Sequence, residues 1–207
     1  RPKCAHTRKP FWKHWVLPDK IIAQNKKVAV YSAAFYNLEN LFDTINSPTT
    51  ADEDMLPLAD RRWTTEKYKA KLKNISNAIA GIATQHDYPT LMALAEVENR
   101  AVLEDLIAEP TLAQASYAIC HYDSPDERGI DVALLYRPDK FHLQGSKAIP
   151  ANTENPTRDI LTVWGTIDNE HIFAAIVHWP SRIGGVKFTE PQRIACAEQL
   201  RTIVDSV

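Results

Sequence analysis

The 207-residue chain reads as an α/β or α+β protein built in layers, with sheets partly covered by helices. Three observations predict this. Apolar strand-like runs first alternate with helical patterns, then follow one another closely, and a helix closes the chain. Several of these runs are apolar at successive positions, which implies burial on both faces. Hydrophobic residues make up 44% and charged residues 24%, ordinary values for a soluble globular protein and enough for a sizeable core.

Taken in order, "KVAVYSAAFYN" predicts a buried strand ending at Asn37. The stretch from Asp43 to Trp63 is polar and carries Pro48 and Pro57, so it reads as a long loop of the kind that is often functional. Tyr68, Leu72, Ile75, Ile79 and Ile82 recur at spacings of four, three, four and three and predict one apolar helix face from about Thr65 to Ala83. "TLMALAEVEN" is a second apolar run ending in polar groups. "RAVLEDLIAEP" is a short helix that Pro110 is expected to end. Strands are predicted at "SYAICHY", "IDVALLYR", "DILTVWGTI" and "HIFAAIVHW", the last two joined at "DNE" as a hairpin. Thr189 with Gln192 fits a capping box and Pro191 a first turn. Ile194, Ala197, Leu200, Val204 and Val207 are expected to form the inner face of that last helix.

The length fits one domain. A formal net charge of −2 gives no global positive field, so nucleic-acid binding would need a local basic cleft. Cys4, Cys120 and Cys196 lie far apart, with neither metal-type spacing nor a disulfide framework. No apolar run reaches the roughly 18 residues of a membrane span, and no signal-peptide core is visible. Residues 1–26 differ from the rest: Arg1, Lys3, Arg8, Lys9 and Lys13 occur with no acid among the first fifteen positions. They are expected to form a loose, poorly ordered basic extension, leaving 27–207 as the domain.

Three apolar strands end in polar groups: Asn37, Glu96 and His178. Alone, each has an ordinary explanation, as a turn former, a helix cap and a hydrogen-bonded histidine. Strands lying side by side in the same sense would bring all three to one rim, where a rigid scaffold can make them converge. Carboxylate and carboxamide oxygens are hard donors, suited to Mg²⁺, which takes one or two carboxylates and keeps several waters. Zinc is disfavoured, since its Cys and His spacing is absent.

"FYNLENLFDT", "LAEVENR", "ERGIDVALLYRP", "PTRDILTVWG" and "VHWPSRIGG" together resemble the exonuclease/endonuclease/phosphatase superfamily. The resemblance runs from about Lys27 to Val207. It is nearest to bacterial endonuclease-like members and more distant from pancreatic-type deoxyribonuclease. It implies a four-layer α/β sandwich, two mixed sheets face to face with outer helices, and cleavage of phosphate esters dependent on Mg²⁺, with Mn²⁺ or Ca²⁺ as alternatives. By the same resemblance Asn37 and Glu96 hold the metal, Arg158 holds substrate phosphate, and His178 contacts the scissile phosphate. Asp131 sits near where the family places groups that orient that histidine. Ser181 and Arg182, just past His178, are within reach of a phosphate, and Gly184 and Gly185 would let backbone approach it.

Two motifs expected after the last helix, Gly-Asp-x-Asn and an Asp-His pair, do not occur in the 207 residues. The chain is therefore expected to be a fragment, nearly inactive and aggregation-prone alone. The leading expectation is an endonuclease acting on DNA or RNA. A phosphatase or lipid phosphodiesterase acting on a phosphorylated small molecule or lipid headgroup is the first alternative, and a non-catalytic phosphate-binding module the second. A monomer is expected. The resemblance is compatible with export to the periplasm or beyond.

Overall fold

The computed structural model describes residues 29–82, 87–182 and 185–207. The basic extension at 1–26 and Gly184 lie outside the described residues. The first sheet has the order β1-β2-β4-β3, from β1 (Ala33–Leu41), β2 (Leu91–Val97), β3 (Ala118–His121) and β4 (Asp131–Tyr136). β1 and β2 are parallel, with helix α1 (Thr65–Ile82) between them in the chain, while β4 is antiparallel to both neighbours. The second sheet is an antiparallel meander of β5 (His142–Ile149), β6 (Ile160–Ile167) and β7 (Glu170–Ile176). Helices α2 (Arg100–Ala108), α3 (Pro110–Ala113) and α4 (Val186–Val204) complete the order.

The double-sided burial inferred from the apolar runs is found in the first sheet. Met92, Leu94, Ala133 and Leu135 point into one core, where Tyr68, Leu72, Ile75 and Ile79 of α1 meet Leu103 and Leu106 of α2. On the opposite face, Leu91, Ala95, Val132 and Leu134 pack against Phe141, Leu161, Val163 and Ile176. The layers are thus helices, first sheet and second sheet, an α/β sandwich as expected, with a mixed first sheet and a wholly antiparallel second one. Helix α4 is fastened through the Gln199 side chain, which accepts from Asn152 N at 2.7 Å and donates to Pro150 O at 2.8 Å.

Several boundaries differ from the sequence expectations. β1 continues past Asn37 to Leu41 through an irregular stretch. Pro110 ends α2 but also opens α3, whose first turn needs no N–H from it. β5 carries no fully buried side chain, so no apolar run marks it. The hairpin lies where expected, with Asp168 and Asn169 at φ of 49° and 68°, the geometry a two-residue loop requires. Helix α4 begins at Val186, before the expected capping box, and Thr189 Oγ1 donates to Gly185 O instead. Part of its expected inner face is turned outward: Ile194 is 50% and Val204 49% exposed, while Ala197 and Leu200 are half-buried and Cys196 is buried.

The long loop after β1 is pinned from beneath. Glu98 Oε2 accepts from Asp43 N at 2.6 Å, and Asp52 Oδ2 accepts from Ser47 N at 3.0 Å. Asn99 caps α2 by accepting from Val102 N, and its amide donates to Asp43 Oδ2. Trp63 Nε1 donates to Phe42 O, closing the loop at its far end. Burial above all, and the neighbouring Asp43 and Asp52 carboxylates, push the Glu98 carboxyl up to about 7. The folded chain therefore holds this proton at pH values where the unfolded chain, with an ordinary value of 4.5, has released it. The resulting stability is complete below 4.5 and is lost as pH rises through about 7. Glu98→Gln, which keeps an acceptor for Asp43 N, should flatten that fall and be the more stable form at pH 8, as melting temperatures across the range would show. At β6, a Cβ on Gly165 would meet the His142 carbonyl oxygen and lie 2.7 Å from the Phe141 ring. Gly165→Ala is expected to cost about 1–3 kcal/mol in denaturant unfolding, with an unchanged slope.

Candidate functional site

The parallel pairing of β1 and β2 runs regularly from Ala33↔Leu91 to Asn37↔Ala95, breaks, and resumes at Leu41↔Val97. Three residues of β1, Leu38 to Asn40, thus lie opposite the single residue Glu96. On the other side of β2, Ala95↔Val132 is followed directly by Val97↔Asp131, so Glu96 is an extra residue there too. Both sides of the break show the left-handed backbone such bulges use: Glu39, Asn40 and Glu96 have φ of 52°, 61° and 61°. For residues other than glycine this costs on the order of 1–3 kcal/mol each, and it persists where surrounding bonds over-determine it.

Those bonds converge on one carboxylate. Glu96 Oε1 accepts from Asn37 Nδ2 at 3.0 Å and lies 3.2 Å from His178 Nε2; Oε2 accepts from Asn40 N at 2.9 Å. Asn37 Oδ1 accepts from Glu39 N at 2.7 Å, which fixes the carboxamide orientation. Asn37, Glu96 and His178 therefore meet as the strand ends suggest, though His178 follows β7 in the second sheet and does not come from a strand beside β1 and β2. Burial above all, then the Arg158 charge, holds the His178 imidazole below its usual range, against the upward pull of Glu96. At neutral pH the ring is thus uncharged, and the tautomer with its proton on Nε2 is the one that donates to Glu96 Oε1.

Arg158, just before β6, is built into the rim from behind. Its Nη1 donates to Asp126 Oδ2 at 2.8 Å, its Nε to His178 O at 3.1 Å and its Nη2 to Trp179 O at 2.9 Å. Three of the five guanidinium N–H groups thus hold protein, one of them the backbone of His178 itself, and two remain. Both partners of this ion pair are more than nine-tenths buried. Asp131 does not lie against His178. Its Oδ2 is 3.1 Å from His121 Nε2, and its Oδ1 accepts from Ser124 N and Oγ. Ser181 and Arg182 are exposed immediately past His178-Trp179-Pro180.

Sequence reasoning missed Asp126, His121, Ser124 and the Asn40 N–H. Asp126 and Ser124 occur in "HYDSPDERGID", beside a motif already singled out, and a run of polar side chains between two buried strands is the signal that could have found them.

Two places could take a cation. Glu96 and Asn37 each keep an oxygen lone pair after the bonds above, on hard donors at an accessible rim, which fits an ion that completes its shell with water and substrate oxygens. His121, Asp123 and Asp131 bring ligand atoms within 4.8 Å of one another. There Asp131 occupies Nε2 of the ring while Asp123 Oδ1 lies 4.0 Å from Nδ1, so one ion could bind Nδ1 and Asp123 but not Nε2 as well. The first place fits Mg²⁺ better. Among the described residues no helix is long and apolar enough to cross a membrane.

A humanized TDP2 of D. rerio carrying 14 mutations superposes with a TM-score of 0.52 at 15% identity, covering 84% of this chain and 55% of that one. An endonuclease/exonuclease/phosphatase family protein from Bacteroides thetaiotaomicron superposes with a TM-score of 0.51 at 16% identity, covering 84% and 58%. At such identities the likeness is one of fold. The chain spans little more than half the length of these two structures. No curated protein matches the sequence significantly. The model of the Endonuclease/Exonuclease/phosphatase family matches residues 32–207, which include the double bulge, the Arg158 clamp and His178, and the chain belongs to that family.

Proposed function

We propose that this chain carries metal-holding and phosphate-binding residues of a divalent-metal-dependent phosphodiesterase whose substrate is a nucleic acid. The observation that supports it most is the Glu96 carboxylate, set at a doubly bulged rim with Asn37 and a neutral His178 around it. Glu96 and Asn37 are the residues that would hold Mg²⁺. When bound, the ion supplies Lewis-acid polarisation of a phosphoryl oxygen. His178 stands at the same rim with its Nε2 on Glu96 Oε1, and its lowered proton affinity keeps the ring uncharged until the negative charge of a phosphate favours the second N–H that would donate to it. Arg158 holds the His178 carbonyl and keeps two N–H groups for negative charge nearby. Such fixed donors stabilise charge that develops on the phosphoryl oxygens without reorganising during the reaction. Ser181 and Arg182 extend the phosphate-facing edge. Asp131 acts at one remove, holding His121 and the loop that carries Asp126.

Nucleic acid is preferred over a small ester or lipid headgroup because the cavity beside Asn37 is lined by lysines and aromatic rings. The test is metal-dependent cleavage of plasmid and oligonucleotides beside release of phosphate or phosphocholine from small esters. Glu96→Gln should abolish Mg²⁺ binding seen by calorimetry. His178→Ala should lower turnover by about 10²–10³-fold with the metal still bound, the loss typical of one transition-state donor. If both variants keep wild-type metal-dependent cleavage, the assignment of this rim fails. Release of phosphate or phosphocholine without nucleic-acid cleavage would move the activity to the alternative substrate class.

A further inference from the structure

Beside the Glu96 rim lies a cavity of about 410 Å³ that shares Asn37 as a wall. Its far wall is one face of α1, where Lys67, Lys71 and Asn74 follow at helical spacing; Tyr36 and Trp63 supply aromatic surface. The chain is acidic overall, yet Arg61 to Asn74 holds six cationic side chains against Glu66 alone. Lys71 Nζ donates to Glu39 O and Asn40 O, at 2.5 and 3.0 Å, and sits 5.5 Å above the Trp63 ring. It therefore fastens the bulge that positions Glu96 while facing the cavity with its remaining N–H. Lys67 Nζ holds only Arg61 O, at 3.1 Å, and is exposed. The one acid on the wall, Glu39, lies beside Lys71, whose charge offsets it.

A phosphate alone would not need aromatic surface, and a base alone would not need two ammonium groups. We propose that this cavity binds the nucleotide adjoining the scissile phosphate, with its flanking phosphate on Lys67, Lys71 and Asn74 and its base against Tyr36. The inference rests on the nucleic-acid reading above. It makes Lys67 and Tyr36 determinants of how a polynucleotide is held, separate from the residues that act on the reacting phosphorus. Base stacking on an aromatic ring tolerates any base, so the subsite favours strand over sequence.

The experiment is fluorescence anisotropy of a labelled oligothymidylate with the protein in metal-free buffer, for wild type, Lys67→Glu, Tyr36→Ala and, as an equal charge change on an exposed position of α1 outside the cavity, Lys73→Glu. Lys67→Glu should weaken binding by about tenfold and lower the salt dependence by about one phosphate contact. Tyr36→Ala should weaken oligonucleotide binding by about tenfold and leave inorganic phosphate binding unchanged. Lys73→Glu should change binding less than threefold, about the effect of a screened surface charge. Melting temperatures of the variants exclude unfolding as the cause. If Lys67→Glu and Lys73→Glu weaken binding equally, or neither does, the subsite is overturned while the nucleic-acid reading stands. If wild type binds no oligonucleotide but binds vesicles containing phosphoinositide, both fall.

Discussion

One extra residue in β2 decides how the rest of the rim is built. Side chains alternate between the two faces of a strand, so Leu91, Ala93 and Ala95 face the second sheet while Met92 and Leu94 face the helices. Unbroken alternation would send Glu96 into the helical core and Val97 to the other side. Instead Val97 packs with Met92 and Leu94, and Glu96 stands out at the rim. The bulge thus resolves a conflict written into the strand: a carboxylate sits where burial without a partner would be costly. Its backbone strain is offset by the three donors gathered on Glu96 and by a fully buried Val97.

The second sheet brings its contribution to the same point by an indirect route. His178 leaves β7 without pairing to β1 or β2, so nothing in sheet hydrogen bonding holds it at Glu96. The Asp126–Arg158 pair does this work through the main chain. Arg158 grips the carbonyls of His178 and Trp179, and Asp126 comes from the loop joining β3 to β4 in the first sheet. That loop is anchored in turn by Asp131 through Ser124 and His121. A buried ion pair contributes little net stability, because desolvation cancels much of the attraction. Its value here is registry between two sheets that meet mainly through apolar contacts, with Glu96–His178 and Tyr122–Ser146 as further polar links.

What was legible in the sequence follows from which forces leave a periodic trace. Helix α1 was visible because Tyr68, Leu72, Ile75 and Ile79 all bury one face, and β2 and β4 because they are apolar on two. β5 was invisible because its side chains are only half-covered, and α4 was only partly in phase because Ile194 and Val204 are exposed while Cys196 is its buried residue. The rim residues Asn37, Glu96 and His178 were readable as polar interruptions of buried strands. The second tier was not. Arg158 and Asp131 were recognised as polar groups beside strands, but the partner of a long or buried side chain is set by tertiary geometry, and Asp131 found His121 where His178 was expected.

Charge illustrates the same separation of scales. A net value of −2 describes the whole chain but none of its local fields. On one side of the rim, Lys67 and Lys71 line a cavity on α1; below the long loop, burial above all, with Asp43 and Asp52 beside it, pushes the Glu98 carboxyl up to about 7. These opposite fields lie at the two ends of the segment from Asp43 to Lys71, and the long loop joins them. Salt screens exposed charges over about 10 Å, so each field acts on its own surroundings rather than on the molecule as a whole. The acidic cluster fixes the loop by hydrogen bonds to its backbone, and Lys71 fixes the bulge by donating to the carbonyls of Glu39 and Asn40.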